Sequence, residues 1–336
     1  MLGRMRRLAI ALLFVAASAQ AQFRERIDVV RILLDIRVTD AGGNAITDLT
    51  PEDFDVRIGG KRAEVESVEW ISDVPTPDPF AIEPPPESPP GRLFVLFVQT
   101  DFTRQSIRIA GHMSFMQYAA ALIESFAPGD RVAVLQFDSH LKLRLDFTAD
   151  KEAVIAALRD TLRIDTPPAP PVVPEPSLAS RLDRKDMRRA ADSETGLLVT
   201  GNALRSIPGP KTLLLLGWGL GRRNATGVDM PRNYERAREA LDAARTAIFA
   251  IDVPHADYHD LEVGLQKAAA DTGGLYVKAF RFPQIAVERL QRTLAGHYEI
   301  ELRRPNELQP GTHALSVRVK RRGAVVLAPS SYIDRH

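Results

Sequence analysis

Two hydrophobic rhythms divide the chain. In residues 27–39, 53–58 and 61–71 apolar and polar residues partly alternate, and β-branched types are frequent. A period of two sends successive side chains to opposite faces, so these stretches predict strands with one buried face. Turn chemistry separates them: 40–44 holds Asp40, Gly42, Gly43 and Asn44, and Gly59-Gly60 allows the positive φ angles of a tight hairpin. Residues 49–54 predict a short turn that buries Phe54. The alternation returns in 298–302, 314–320 and 324–327, with turns at Pro310-Gly311 and Arg321 to Gly323. Neither terminal set is large enough to bury a core alone. The economical arrangement is one accessory β-sandwich built from residues 26–71 and 297–333.

Between them, in residues 91–296, the rhythm changes. Short apolar runs, unbroken at 93–98 and with a few polar interruptions at 132–137, 141–147, 212–216, 247–253 and 275–277, predict buried strands. Helical spacing in 107–126, 151–162, 234–246, 261–272 and 283–295 predicts the crossovers. Such alternation defines an α/β fold, a doubly wound, mostly parallel sheet of Rossmann type whose ligand crevice lies outside the carboxyl ends of the strands. Prolines interrupt the pattern twice. Residues 75–90 predict an extended linker at a domain boundary. An insertion at about 164–192 has a polyproline-like first half (165–176) and a charged second half (181–189), and predicts a flexible spacer.

Composition changes the picture at three points. Residues 1–21 carry a basic start (Arg4, Arg6, Arg7), an apolar run too short to span a bilayer and the small-residue site Ala19-Gln20-Ala21, the three parts of a secretory signal peptide. No later segment reads as transmembrane, so the expected location is exported, periplasmic or extracellular. The 336-residue chain has no cysteine, so stability is expected from packing without disulfides, and no lipid can be attached through a lipobox cysteine. Removing the leader's three arginines from 44 basic against 43 acidic residues leaves about −2, which does not favour a nucleic-acid partner.

The run from Arg92 to Val98 stops at Gln99, Asp101 and Thr103. It resembles the first strand of a von Willebrand factor type A domain, where that strand ends in Asp-x-Ser-x-Ser. The turn Pro128 to Val132 and the stretch Asp271 to Tyr276 resemble the same domain. Val38 to Gly43, Leu49 to Phe54 and Tyr298 to Tyr332 resemble, more narrowly, a bacterial secreted von Willebrand factor A-related family. The resemblance implies a metal-ion-dependent adhesion site for magnesium or calcium, built from the first-strand loop, a threonine of a later loop and an aspartate after the fourth strand. Those positions are Gln99, Asp101 and Thr103, then Thr195 or Thr200, then Trp218. An amide and an indole stand where two carboxylates belong. Hard cations are held largely by carboxylate charge and geometry, so this site is degenerate and no cofactor is expected.

A second polar group follows the 247–253 strand: His255, Asp257, His259 and Asp260, whose residue types can bind a transition ion. An exposed loop with Asp260 capping the next helix accounts for it equally. No catalytic set emerges: there is no cysteine nucleophile, no Gly-x-Ser-x-Gly elbow and no phosphate loop. The sequence therefore points to an exported, non-enzymatic protein-protein interaction or adhesion module, independent of metal, recognising another protein in the cell envelope or outside the cell. Its rim comprises Gln99, Asp101, Thr103, Thr195, Thr200 and Trp218. The alternatives are cation-dependent adhesion at that rim and a metal-binding or hydrolytic site at His255 to Asp260.

Overall fold

The computed structural model describes residues 31–72, 91–101, 106–163, 174–306 and 308–335. The leader at 1–21, the linker at 75–90, Thr103 and the first part of the insertion lie outside the described residues. Along the chain come β1 (Arg31–Thr39), a 3-10 turn (Pro51–Asp53), β2 (Phe54–Ile58) and β3 (Lys61–Ser72). Then follow β4 (Leu93–Gln99), α1 (Ser106–Glu124), β5 (Arg131–Phe137), β6 (Leu141–Thr148), α2 (Lys151–Asp160), α3 (Arg184–Arg189) and α4 (Ser193–Leu204). The rest are β7 (Lys211–Gly217), β8 (Arg222–Asn224), β9 (Gly227–Asp229), α5 (Arg232–Ala243), β10 (Thr246–Asp252), α6 (Glu262–Asp271), β11 (Tyr276–Lys278), α7 (Pro283–Thr293), β12 (Gly296–Arg303), β13 (Gly311–Val319), β14 (Val325–Leu327) and β15 (Ser331–Asp334).

The apolar runs of the middle region form one six-stranded mixed sheet in the order β11-β10-β7-β4-β5-β6, parallel except for the β6 edge. Both faces are covered, which is why the central strands are largely apolar, β4 from Leu93 to Val98 without interruption. On one side Phe94, Leu96 and Val98 of β4 meet Phe115 and Leu122 of α1, Val154 of α2 and Leu290 of α7. On the other, Val95 and Phe97 meet Leu197 of α4, Leu241 of α5 and Leu265 of α6. The ends of β4, β7 and β10 therefore open on one rim, and the loops after them carry the candidate chemistry.

The described part of the insertion departs from a flexible spacer. Leu178 and Ala190 are fully buried in the sheet's core. The buried Asp146 of β6 holds the Leu178 end there: its carboxylate accepts from Ser177 Oγ at 2.6 Å and from Leu178 N at 2.7 Å. A buried acid requires such donors, so the contact fixes the chain.

The terminal strands pair as the alternation implied, but not as two facing sheets. They make one seven-stranded sheet, order β14-β1-β12-β3-β2-β13-β15, with every neighbouring pair antiparallel. The C-terminal β12 lies between the N-terminal β1 and β3, with Tyr298 opposite Ile36 and Trp70. The sheet curls around a single core instead of facing a second sheet. Inner-face residues from β1 (Ile36), β2 (Val56), β12 (Ile300) and β14 (Val326) belong to that one cluster. Tyr298 is its pin: the hydroxyl accepts from Leu49 N at 3.0 Å and donates to Ile46 O at 2.8 Å, while its ring meets Phe54 and Trp70 edge-on.

The curled sheet joins the mixed sheet through charge and backbone. Arg245, between α5 and β10, donates to Asp35 of β1 at 2.6 and 2.8 Å and to Glu299 of β12 at 2.8 Å. Arg37 lies 5.0 Å over the Phe249 ring, and Thr272 bridges to Pro329.

Candidate functional site at the strand ends

Gln99 ends β4 and is 1% exposed. Its Nε2 donates to Ser193 Oγ and to Gly219 O, both at 2.8 Å, and its Oε1 accepts from Trp218 N at 2.9 Å and Gly219 N at 3.3 Å. All four hydrogen-bonding valences of the amide are used. The partners fix its orientation, because a flipped amide would set oxygen against the Gly219 carbonyl and N–H against N–H. A carboxylate here would meet the same repulsion from Gly219 O. Gly217 is required beside it: a Cβ at that position would stand 2.2 Å from Gln99 Oε1. One neutral side chain thus ties β4 to the α4 start and to the loop after β7.

Trp218 occupies the expected place after β7 but is half-buried rather than a free anchor. Its Nε1 donates to Asp101 Oδ1 at 2.6 Å, and the Arg108 guanidinium of α1 lies 3.2 Å over its ring. Burial raises the Asp101 carboxyl to about 6, opposed by the Trp218 hydrogen bond and by Arg108. Burial also lowers Arg108, which the nearby Asp101 offsets. The surface of this part of the rim is therefore an indole plane clasped by an arginine.

Residues 194–201 form helix, not loop, which changes the role of both threonines. Thr200 is fully buried, its hydroxyl donating to Gly196 O at 2.8 Å, and it does not reach the rim. Thr195 lies in the first turn of α4, where Asp192 caps it: Asp192 Oδ1 accepts from Thr195 N at 2.8 Å, and Asn233 Nδ2 donates to Thr195 Oγ1 at 2.9 Å. The helix-start residue that meets Gln99 is Ser193. Its signal in the sequence is the capping pattern Asp192-x-x-Thr195, which starts a helix at Ser193. Beside it opens a cleft of about 350 Å³ lined by Asp192, Arg222, Arg223, Asp229, Arg232 and Asn233, under the β8-β9 hairpin.

The four residues proposed from the loop after β10 do not converge. His255 stacks edge-on against Phe280, Asp257 pairs with Arg281, and Asp260 pairs with Arg223 at 2.7 Å. Only His259 turns inward, its Nε2 lying 2.8 Å from Asp252 Oδ1. Asp252 ends β10 and is 1% exposed, and its Oδ2 accepts from Tyr276 OH at 2.6 Å. Glu262 at the start of α6 joins the pair. One ligand atom each from Asp252, His259 and Glu262 lie within 4.8 Å of one another. Asp252 reads as an ordinary strand end in the sequence, and Glu262 as a helix-start acid, so neither stood out.

No protein-family model and no curated protein sequence matches the chain. Solved structures are similar to it at low identity. The vWF domain of the type V pili tip protein Mfa5 from Porphyromonas gingivalis matches with 11% identity and a TM-score of 0.39, over 60% of this chain and 94% of that one. Three N-terminal domains of the same protein match with 9% identity and a TM-score of 0.42, over 92% of this chain and 66% of that one. BatB from Bacteroides thetaiotaomicron matches with 12% identity and a TM-score of 0.35, over 60% of this chain and 98% of that one. The fold of the central unit is defined by its own strand order, two-faced helix cover and strand-end loops.

Proposed function

We propose that this protein is an exported, non-enzymatic interaction module with a doubly wound von Willebrand factor A-type unit. Its rim at the ends of β4 and β7 recognises another protein, in the cell envelope or outside the cell, without a divalent cation. The observation that carries this reading is the Gln99 amide. It holds β4, α4 and the loop after β7 together through four hydrogen bonds at the place where the resembling family uses charge and metal. With the loops held by the chain itself, what remains for a partner is the Trp218 plane with Arg108 and Asp101, and the arginine-lined cleft beside Asp192. A half-buried tryptophan beside an arginine has the composition of an interface hot spot.

The test uses the purified chain as bait in envelope extract, with chelator and with added magnesium, followed by calorimetry on the purified pair. Binding should survive chelation, and Trp218→Ala should weaken it by about 1–3 kcal/mol, more than Asp101→Ala does. Strict dependence on magnesium or calcium, or a larger loss from Asp101→Ala, favours cation-dependent adhesion at the same rim instead.

A further inference from the structure

We infer that Asp252, His259 and Glu262 form a site for one zinc ion at the end of β10, two strands along the same rim from Gln99. The donor set is one imidazole and two carboxylates, which suits zinc. The imidazole argues against magnesium or calcium, which take oxygen ligands. The three side chains come from a strand end, the loop after it and the start of the next helix, so each is placed by the fold.

Asp252 is already oriented as a ligand. Tyr276 OH takes its Oδ2 at 2.6 Å, which leaves Oδ1 aimed at His259 Nε2, 2.8 Å away. A partner on the non-ligating oxygen is how metal-site carboxylates are commonly fixed. Tetrahedral zinc with bonds of about 2.0–2.1 Å needs its ligand atoms roughly 3.3–3.4 Å apart. The Asp252–His259 pair therefore opens by about half an ångström, and Glu262 closes from within 4.8 Å. On binding, the ion takes the Nε2 lone pair and the imidazole proton resides on Nδ1. His259 has 18% of its side chain exposed, which provides a way in for the ion.

Charge also fits. Among the described residues, two buried acids face one cation, Lys278, whose Nζ donates to Glu262 Oε2 at 2.7 Å and to Asp257 O at 2.5 Å. With neutral imidazole that leaves one net negative charge, which a divalent ion compensates. Lys278 then acts as a place-holder, competing with the ion for Glu262 while remaining anchored on Asp257 O.

Zinc titrated calorimetrically into the metal-stripped full chain, with cobalt as a spectroscopic probe of tetrahedral geometry, tests the site. One equivalent should bind, with at least a tenfold loss in His259→Gln and in Glu262→Gln. His255→Gln and Asp257→Asn should bind as the parent does, and Lys278→Met should bind several-fold more tightly, because it frees Glu262. Thermal melts of each variant separate loss of a ligand from loss of fold. Absence of saturable binding, binding that survives His259→Gln in a folded variant, or unchanged or weaker binding in Lys278→Met overturns the assignment.

Discussion

A single neutral side chain, Gln99, decides how the rim is held. A carboxylate can only accept, so it could keep the Trp218 and Gly219 N–H groups but would leave the Gly219 carbonyl facing negative charge. The amide donates and accepts at once, and is buried with every valence filled. Removing it takes the partner from two backbone N–H groups, those of half-buried Trp218 and buried Gly219. Each such loss costs about 1–3 kcal/mol, so Gln99→Ala should destabilise the fold by about 2–4 kcal/mol in urea denaturation. A cost near zero would mean that the amide is not what holds the loops. The positions of Gln99, Asp101 and Trp218 were legible because an apolar run that ends at polar residues announces a strand end. Arg108 and Asp252 were not, because their partners are remote in sequence and nothing local marks them, while for Ser193 the capping pattern marks only a helix start and not the contact with Gln99.

At the scale of elements, largely apolar strands and 3.6-residue periods were readable because burial on two faces or one stripe leaves a direct imprint. What failed was the loop that the resemblance implied for Thr195 and Thr200, which is helix. Gly196 and Gly201 sit inside α4, where a Cβ would come 3.1 Å from Phe97 Cζ and 3.0 Å from the Ala240 side chain. Close packing of α4 on β4 and α5 uses the missing side chains, so these glycines are contact points. The insertion failed for a different reason. Leu178 and Ala190 are isolated apolar residues in a charged, proline-rich stretch, too few to show a period, yet Asp146 draws the segment into the core. Leu178→Ala should therefore cost about 2–5 kcal/mol in chemical denaturation, the range for a buried leucine. A change within about 0.5 kcal/mol would return the segment to the status of a surface spacer.

For the whole molecule, the sharing of one curled sheet by both chain ends was legible from the shortage of core in either set alone. That it curls around one core, instead of splitting into a sandwich, was not, since inward-facing residues alternate identically in both arrangements. The join with the mixed sheet depends on Arg245, which spans Asp35 of β1 and Glu299 of β12 from the start of β10. With 29% of the side chain exposed, solvent screens part of its value. Arg245→Ala should cost about 1–3 kcal/mol. In calorimetric melts it should broaden or split a transition that is single in the parent. A parent that already melts in two steps would show that the two sheets are not coupled through this contact.

The central claim, that the rim is built by an amide in place of a cation, is tested most directly by calorimetric titration of magnesium and calcium into the purified, chelator-treated chain. The account predicts no saturable one-to-one binding up to about millimolar concentrations, where extracellular calcium modules with full carboxylate sets bind. Stoichiometric binding of either ion that is lost in Asp101→Ala would contradict it.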